Sequence, residues 1–406
     1  MIQRNRYLKQ LRDFIGRPVI KVLTGMRRSG KSVLLELLRE ELLAQGVAAE
    51  NILSVNLESL RYEKLKDYHA LYEEVTAKAG ETDGRLYLLL DEIQETAGWE
   101  KAVNSFRVDF DCDIYLTGSN ARLLSGELAT LLSGRYVEIP VYPLDFKEYL
   151  AFAAANPEEG SRSREERFEE YLRFGGLPGI HQMKWQPEGI SLYLQDIYRS
   201  ILLKDVIARN RIRDTELLER IIRYVMDNIG NTFSAKTIAD FLKSQGRRLS
   251  VETVYNYLDA LTAACLVHRV PRYDIKGKKL LETQEKYYLS DLGLRHAVIG
   301  YRPRDIAGLL ENVVYLELRR RNYQVRIGKQ REAEVDFVAS RGAERIYIQV
   351  CYLLTEENAR REFAPLEAIR DHHGKVVLSL NAIPGIEENG IRQENLIRFL
   401  LEDIPS

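Results

Sequence analysis

The strongest constraint on the fold of this chain is the stretch from Gly25 to Ser32, which reads GMRRSGKS. It fits the pattern G-x-x-x-x-G-K-[ST], which is typical of loops that wrap phosphate groups. A short apolar run over residues 19–24 predicts a buried strand before it, and apolar residues at helical spacing over 33–43 predict a helix after it. A glycine turn can fit these letters by chance, but the succession of strand, loop and helix favours a phosphate-binding loop in an α/β fold.

The chemistry of such a loop explains its residue types. Glycines bring backbone N–H groups against phosphate oxygens, and the dipole of the following helix adds positive potential at the same place. We expect Lys31 to reach the β- and γ-phosphates of ATP and the Ser32 hydroxyl to ligate Mg²⁺, so ATP and Mg²⁺ are the predicted cofactors. The predicted nucleotide-binding residues are Gly25, Met26, Arg27, Arg28, Ser29, Gly30, Lys31 and Ser32.

A second apolar run, residues 86–90, ends directly in Asp91 and Glu92. Because burying charge is costly, two carboxylates are unusual there unless the strand ends at the ligand-binding edge of a parallel sheet. At that edge we expect Asp91 to hold Mg²⁺ through water and Glu92 to orient and deprotonate the attacking water. The alternative interpretation is a solvated pair of carboxylates at a strand end.

Further catalytic candidates follow the next predicted strand, residues 113–116. Ser119 or Asn120 is placed to contact the γ-phosphate or the attacking water, and a hydrogen-bonded turn explains the same residues equally well. Arg135, with Arg122 as a second candidate, is a source of positive charge for the γ-phosphate, within its own chain or towards a neighbouring one. An exposed, solvated arginine is the alternative.

Length and composition limit the class of protein. A chain of 406 residues predicts roughly two to four domains. The net charge of −1 argues against a wholly basic nucleic-acid coat protein, and the three widely spaced cysteines exclude a disulfide framework and a CxxC zinc site. No signal peptide or membrane-spanning stretch is visible, so we expect a cytoplasmic protein without membrane contact.

Motifs along nearly the whole chain carry a family resemblance: TGMRRSGKS at 24–32, LLLDEIQ at 88–94, LTGSNARLLSGE at 116–127, LSGRYVEIPVYPLDFKEYL at 132–150, FGGLPGI at 174–180, ENVVYLEL at 311–318 and EAEVDFV at 332–338. The chain resembles AAA+-superfamily ATPases of bacteria and archaea that carry a restriction-endonuclease-like C-terminal domain. The resemblance implies a P-loop core at 1–143, a helical lid at 144–213, a winged helix-turn-helix at 214–295 and an α/β nuclease-like domain at 296–406. It also implies that a lid over the nucleotide couples hydrolysis to motion.

The residues themselves support the winged helix. Helical patterns over 215–228, 233–242 and 250–261 precede a predicted hairpin. Between residues 236 and 279, nine Lys or Arg stand against four Asp or Glu, which indicates a phosphate-facing surface for double-stranded DNA. A protein-interaction module or a solvated face is the alternative. The predicted DNA-facing residues are Arg247, Arg248, Thr253, Asn256, Lys276, Lys278 and Lys279.

The C-terminal pattern resembles the PD-(D/E)xK nuclease fold, in which a helix Glu, a strand Asp and a Glu-x-Lys gather metal ions around a phosphodiester. Glu311 and Asp336 match the first two positions, but the third reads Gln349-Val350-Cys351. Gln is a weaker ligand than a carboxylate for a hard cation, and Cys does not replace an ammonium. We therefore expect no nuclease activity and a docking or DNA-shape-sensing role for this domain.

Together these features predict a Mg²⁺-dependent ATPase whose nucleotide state switches a DNA-binding or partner-binding assembly. The partners expected are ATP and ADP, double-stranded DNA, and a protein partner or further copies of the chain. One alternative is a slow, nucleotide-gated regulator that acts by binding, similar to signal-transducing ATPases with a winged helix beside the P-loop core. An ATP-dependent DNA nuclease is the minor alternative.

Overall fold

The structure, a computed structural model, describes residues 2–124, 134–330, 333–381 and 387–402. The chain divides into two compact units, the first formed by residues 1–143 with 263–265 and the second by 144–262 with 266–406. No helix in the described residues combines the length and the apolar character needed to cross a membrane.

The first unit is built on five parallel strands in the order β2-β3-β4-β1-β5. The strands are β1 (Ile20–Thr24), β2 (Ile52–Asn56), β3 (Leu86–Asp91), β4 (Cys112–Gly118) and β5 (Tyr136–Pro140). The helices are α1 (Asn5–Arg12), α2 (Lys31–Ala44), α3 (Tyr68–Glu81) and α4 (Trp99–Asp109). Because the strands are parallel, the carboxyl ends of β1, β3 and β4 meet at one edge of the sheet.

Alternation along the strands explains why both faces of this sheet are covered. Leu88 and Leu90 of β3 join an apolar cluster with residues of α3 and α4, whereas Leu89, between them, joins a cluster with α1 and α2 on the other face. All three leucines are fully buried. The sheet therefore holds its polar edge residues on a rigid, two-sided core.

The second unit begins with helices. They are α5 (Phe146–Ala155), α6 (Arg164–Phe174), α7 (Pro187–Ser200), α8 (Thr215–Asp227), α9 (Ala235–Ser244), α10 (Val251–Ala263), α11 (Leu292–Ile299), α12 (Ile306–Arg320), α13 (Glu356–Glu367) and α14 (Leu396–Leu401). Capping boxes begin several of them, with Asp145, Ser163 and Ser234 each accepting a backbone hydrogen bond from the third helical residue. A π-helical segment, Ile201–Ala208, follows α7 directly.

An eight-stranded sheet completes the second unit, in the order β12-β13-β11-β10-β9-β8-β6-β7. Its strands are β6 (Val267–Asp274), β7 (Lys279–Leu289), β8 (Gln324–Gln330), β9 (Ala333–Arg341), β10 (Glu344–Val350), β11 (Gly374–Ser379), β12 (Glu387–Glu388) and β13 (Ile391–Asn395). The hairpin β6–β7 continues into the C-terminal strands because β6 pairs in parallel with β8. Segments that the sequence assigns to two separate domains thus share one sheet.

Candidate functional site

The loop between β1 and α2 requires its glycines. Gly25 has a φ of +146°, and a Cβ there would lie 2.2 Å from the carbonyl oxygen of Val141. Gly30, with a φ of +98°, directly precedes α2. Both positions favour glycine, the first by contact and the second by backbone conformation. The tight turn predicted for a phosphate-binding loop is therefore the backbone that this segment adopts.

Lys31 begins α2, and its side chain is buried beneath the loop. Its ammonium donates hydrogen bonds of 3.1 Å to the carbonyl oxygens of Gly25 and Met26. The same nitrogen lies 3.8 Å from Oε1 of Glu92. The loop and the end of β3 thus meet at the Lys31 ammonium.

Asp91, the last residue of β3, is buried, and both of its carboxylate oxygens accept hydrogen bonds. Oδ1 accepts a hydrogen bond of 2.5 Å from the Thr117 hydroxyl, and Oδ2 accepts one of 2.9 Å from the Asn56 amide. Burial raises the pKa of Asp91, and hydrogen bonds from the Thr117 and Ser32 hydroxyls act in the opposite direction. The structure therefore brings together Ser32 and Asp91, the two predicted magnesium ligands.

Glu92 follows in a left-handed backbone conformation, with a φ of +53°. Its N–H donates a hydrogen bond of 2.9 Å to the Thr117 hydroxyl, and its Oε2 accepts a hydrogen bond from the Gln94 amide. A non-glycine residue held at positive φ is a local strain that the surrounding contacts must maintain. These contacts keep the Glu92 carboxylate at the carboxyl edge of the sheet, beside Lys31.

Thr117 is the residue of this edge that sequence reasoning missed, because the strand predicted over 113–116 ends one residue before it. In the structure β4 runs to Gly118, and pairing of Leu90 with Leu116 sets Thr117 beside the end of β3. Ser119, the predicted catalytic residue, is fully buried, and Asn120 is half-buried. The hydroxyl that contacts both Asp91 and Glu92 belongs to Thr117.

The structure does not bring Arg135 to this site within its own chain. Arg135 is exposed and immediately precedes β5, and Tyr136 pairs with Ile20 at the amino ends of the parallel strands. Its guanidinium contacts Asn104 at 3.4 Å. Arg135 therefore lies at the opposite edge of the sheet from Gly25, and action on a neighbouring chain stays a prediction. The side chain of Arg122 lies outside the described residues.

A family model described as AAA domain matches residues 17–150, and one described as a domain of unknown function matches residues 165–305. An uncharacterized protein of Haemophilus influenzae is 41% identical over 402 residues, which is 99% of each chain. The chain belongs to the same family as this protein, and its residues 17–150 are an AAA domain.

The chain also has a relative in an archaeon. An uncharacterized protein of Methanocaldococcus jannaschii is 31% identical over 364 residues, covering 87% of this chain and 79% of its own. Among solved structures, the Aeropyrum pernix ORC1 protein in complex with DNA matches at 14% identity and a TM-score of 0.32, covering 73% of this chain and 92% of that one. AMPPCP-bound DnaA from Aquifex aeolicus matches at 13% identity and a TM-score of 0.33, covering 64% and 89%.

Outside the AAA domain, the predicted DNA-facing residues lie at the surface of the second unit. Arg247 and Arg248 lie between α9 and α10, Asn256 lies on α10, and all three are exposed, whereas Thr253 is half-buried. The exposed turn of the β6–β7 hairpin carries Lys276, Lys278 and Lys279. Arg247 also forms an ion pair of 2.8 Å with Glu216 of α8.

A second polar cluster, also outside the AAA domain, lines a cavity of about 610 Å³. Glu311 of α12 and Asp336 of β9 lie together there, joined by Glu334. The ammonium of Lys286, a buried residue of β7, lies 2.9 Å from Glu311, 2.8 Å from Glu334 and 3.6 Å from Asp336. We call these four residues the carboxylate–lysine cluster.

Electrostatics in the carboxylate–lysine cluster are strongly coupled. Burial and then the negative charge of Glu311 raise the pKa of Asp336 to about 8, and burial also raises the pKa of Glu311. Burial alone would lower the pKa of Lys286, but the three carboxylates outweigh it and raise that pKa. The cluster therefore holds a charged lysine among acids that it partly neutralises.

The two unusual residues of the predicted nuclease motif lie beside this cluster. Gln349 donates to Oε2 of Glu362 at 3.3 Å, and burial raises the pKa of the Cys351 thiol to about 12. The ammonium beside Asp336 belongs to Lys286 of β7, at 3.6 Å, and residue 351 supplies a thiol. Sequence reasoning missed Lys286 because only the pairing of β6 with β8 brings the hairpin to the C-terminal strands.

Proposed function

We propose that the AAA domain binds ATP with Mg²⁺ and hydrolyses it. The observation that carries this proposal is the convergence of Lys31 and Ser32 with Asp91 and Glu92 at one polar site, where Ser32 is exposed and the other three residues are buried. These are the residue types that phosphoryl transfer to water requires: a cation for phosphate oxygens, oxygen ligands for Mg²⁺, and a base for the attacking water.

The chain's residues divide this work. Backbone N–H groups of the loop and Lys31 would bind the phosphates, while Ser32 and Asp91 would hold Mg²⁺, which would neutralise developing charge. One hydroxyl and one carboxylate suit Mg²⁺, since this ion keeps several waters and takes few protein ligands. Glu92 accepts the proton of the attacking water, and Thr117 fixes the relative position of Asp91 and Glu92.

Nucleotide binding and turnover measured on two variants test this proposal. Lys31→Ala is expected to lose binding of a fluorescent ATP analogue. Glu92→Gln is expected to keep that binding but to hydrolyse ATP at least about 100-fold more slowly, the usual effect of losing a general base. Wild-type hydrolysis by Glu92→Gln would overturn the catalytic role of Glu92.

We further propose that the nucleotide state of the AAA domain switches binding of double-stranded DNA by the second unit. Helices α8–α10 and the β6–β7 hairpin follow one another as in a winged helix, and Phe233, before α9, pairs with Glu285 of β7. The exposed lysines of the hairpin turn add positive charge suited to phosphates.

An electrophoretic shift with duplex DNA in ATP, in ADP and without nucleotide tests this switch. The variant in which Lys276, Lys278 and Lys279 become Ala should bind more weakly and with a smaller salt slope, whereas Lys64→Ala, an exposed lysine of the first unit, is the control. Equal shifts in all three nucleotide conditions would contradict the switch. DNA-stimulated turnover supports a hydrolysis-driven device, and a stable ADP complex supports the slow regulator.

Metal-dependent phosphodiester cleavage is a second candidate function, favoured by the position of Lys286. The prediction of no nuclease activity had two reasons, and the ammonium from β7 removes the one based on Cys351. The other reason, Gln349, remains, and no three His, Cys, Asp or Glu side chains in the described ranges are grouped to hold a metal ion. Plasmid nicking with Mg²⁺ or Mn²⁺ that Asp336→Asn and Lys286→Met both abolish would establish cleavage.

A further inference from the structure

Gln94 makes a specific contact with the carboxylate proposed as the general base. It lies two residues after Glu92, in the short 3₁₀ turn Ile93–Glu95 that follows β3. Its Nε2 donates a hydrogen bond to Oε2 of Glu92. Because a carboxylate at this position only accepts, the amide nitrogen is the atom that faces it.

The Gln94 side chain lies against the end of β4. A Cβ on Gly118 would lie 2.7 Å from Oε1 of Gln94 and 2.8 Å from Leu123. A side chain at residue 118 would therefore require the Gln94 amide or Leu123 to shift, whereas glycine lets the amide keep this position. Oε1 itself is buried and accepts no hydrogen bond within the described part of the chain. Among the described residues, the side chain of Gln94 therefore has one polar contact, the hydrogen bond from Nε2 to Glu92.

The two carboxylate oxygens of Glu92 have different neighbours. Oε2 is held by Gln94, and Oε1 faces Lys31 at 3.8 Å. A base acts only when its oxygen is held within hydrogen-bonding reach of the proton that it accepts, and small misplacements cost large factors in rate. Fixing one oxygen leaves the other with a defined direction at the edge of the sheet.

We propose that Gln94 is a positioning residue for ATP hydrolysis, which holds Oε2 of Glu92 so that Oε1 is directed to the attacking water. This inference rests on the proposed function of Glu92. Gln94 suits the task because a neutral amide donates without adding charge beside the base. It contacts neither the loop nor Lys31 through any described hydrogen bond, so its removal is expected to affect the chemical step and not nucleotide binding.

Steady-state hydrolysis and nucleotide affinity of Gln94→Ala and Gln94→Glu test the proposal. Gln94→Ala is expected to lower kcat about 10- to 100-fold, with the Kd for ATP changed less than about threefold. Gln94→Glu, nearly isosteric, should lower kcat further at pH 8 because it opposes Glu92 with a like charge. Its activity should recover as pH falls and the new carboxyl gains a proton to donate.

A double-mutant cycle separates positioning from a general structural effect. In the Glu92→Gln background, Gln94→Ala should produce no further loss of kcat, since it acts through Glu92. Wild-type kcat in Gln94→Ala, or equal losses of kcat in both backgrounds, would overturn the inference while leaving Glu92 as the base. Wild-type turnover of Glu92→Gln would instead remove the proposed function and this inference with it.

Discussion

Lys31 of the first unit and Lys286 of the second are both buried lysines that lie beside carboxylates, but they are engaged differently. Lys31 bonds to two neutral carbonyl oxygens and lies 3.8 Å from its carboxylate. Lys286 lies within 3.6 Å of carboxylate oxygens from three residues. We therefore expect the charge of Lys31 to serve a ligand such as a phosphate, whereas the charge of Lys286 is paired within the protein.

The largest effect that we expect is on stability. Lys286→Met leaves the buried carboxylates of Glu311 and Asp336, and the half-buried one of Glu334, without their cation. It should lower the free energy of unfolding by about 3–5 kcal/mol, as breaking a buried ion pair does. Lys31→Met, the matched control, removes two hydrogen bonds to neutral groups and should cost about 1–2 kcal/mol. Chemical denaturation of both variants measures the difference, and equal losses would break the contrast between the two sites.

The pH dependence of stability sharpens the same contrast. The pKa of Asp336 is raised in the folded protein to about 8, so between its ordinary value and 8 the folded state binds more protons than the unfolded state. Stability should therefore fall as pH rises from 5 to 8. One pKa unit corresponds to about 1.4 kcal/mol, so a loss of at least that size is expected.

Asp336→Asn provides the control for this pH dependence. Glu311, Glu334 and Lys286 face Asp336, and the raised pKa of Glu311 acts in the same direction. Replacing Asp336 by a neutral residue should flatten the dependence without removing it completely. Unfolding midpoints of both proteins at pH 5 and pH 8 measure this dependence. An unchanged pH dependence in Asp336→Asn would contradict the assignment of the effect to Asp336.

At the proposed nucleotide site, substitution of Thr117 should affect the rate of hydrolysis more than the stability of the fold. Thr117→Val removes the hydroxyl that contacts Asp91 and the N–H of Glu92. We expect hydrolysis to slow about 10- to 100-fold, the equivalent of one hydrogen bond to a charged group, with little change in ATP affinity. Thr117→Ser keeps the hydroxyl and should retain most of the rate. A loss of affinity as large as the loss of rate would assign Thr117 to binding instead.

The loop could be predicted from the sequence because its residues are contiguous and the local backbone conformation requires its glycines. The roles of Asp91 and Glu92 could also be predicted from the sequence, because charge at the end of an apolar strand has few structural explanations. Arg135 shows what such reasoning overlooks. A residue that precedes a parallel strand lies at the amino edge of the sheet, away from ligands that bind at the carboxyl edge.

Thr117 and Lys286 required information that local patterns do not carry. Thr117 depends on how far β4 extends, and strand ends are the least certain part of a sequence-based assignment. Lys286 depends on the joining of two segments, the hairpin and the C-terminal strands, into one sheet. The motifs therefore predict only part of each site. The remaining residues are brought in by the order of strands in the sheet, which joins segments that are distant in sequence.

The smallest expected effect comes from restoring the missing carboxylate of the nuclease motif with Gln349→Glu. Gln349 now donates to Glu362, so a carboxylate there would replace a hydrogen bond by repulsion. We expect a loss of about 1 kcal/mol in stability, within the range of single substitutions. Gln349→Leu, which removes the donor without adding charge, is the control.

The response of this variant to Mg²⁺ separates the two interpretations of the carboxylate–lysine cluster. If the cluster is a self-neutralised structural network, Mg²⁺ should leave the unfolding midpoint of Gln349→Glu unchanged. Stabilisation by Mg²⁺ of Gln349→Glu and not of Gln349→Leu would show that one added carboxylate is enough to make a cation compete with Lys286 for the acids. The contrast between Lys31 and Lys286 would then be one of degree, set by the residue at position 349.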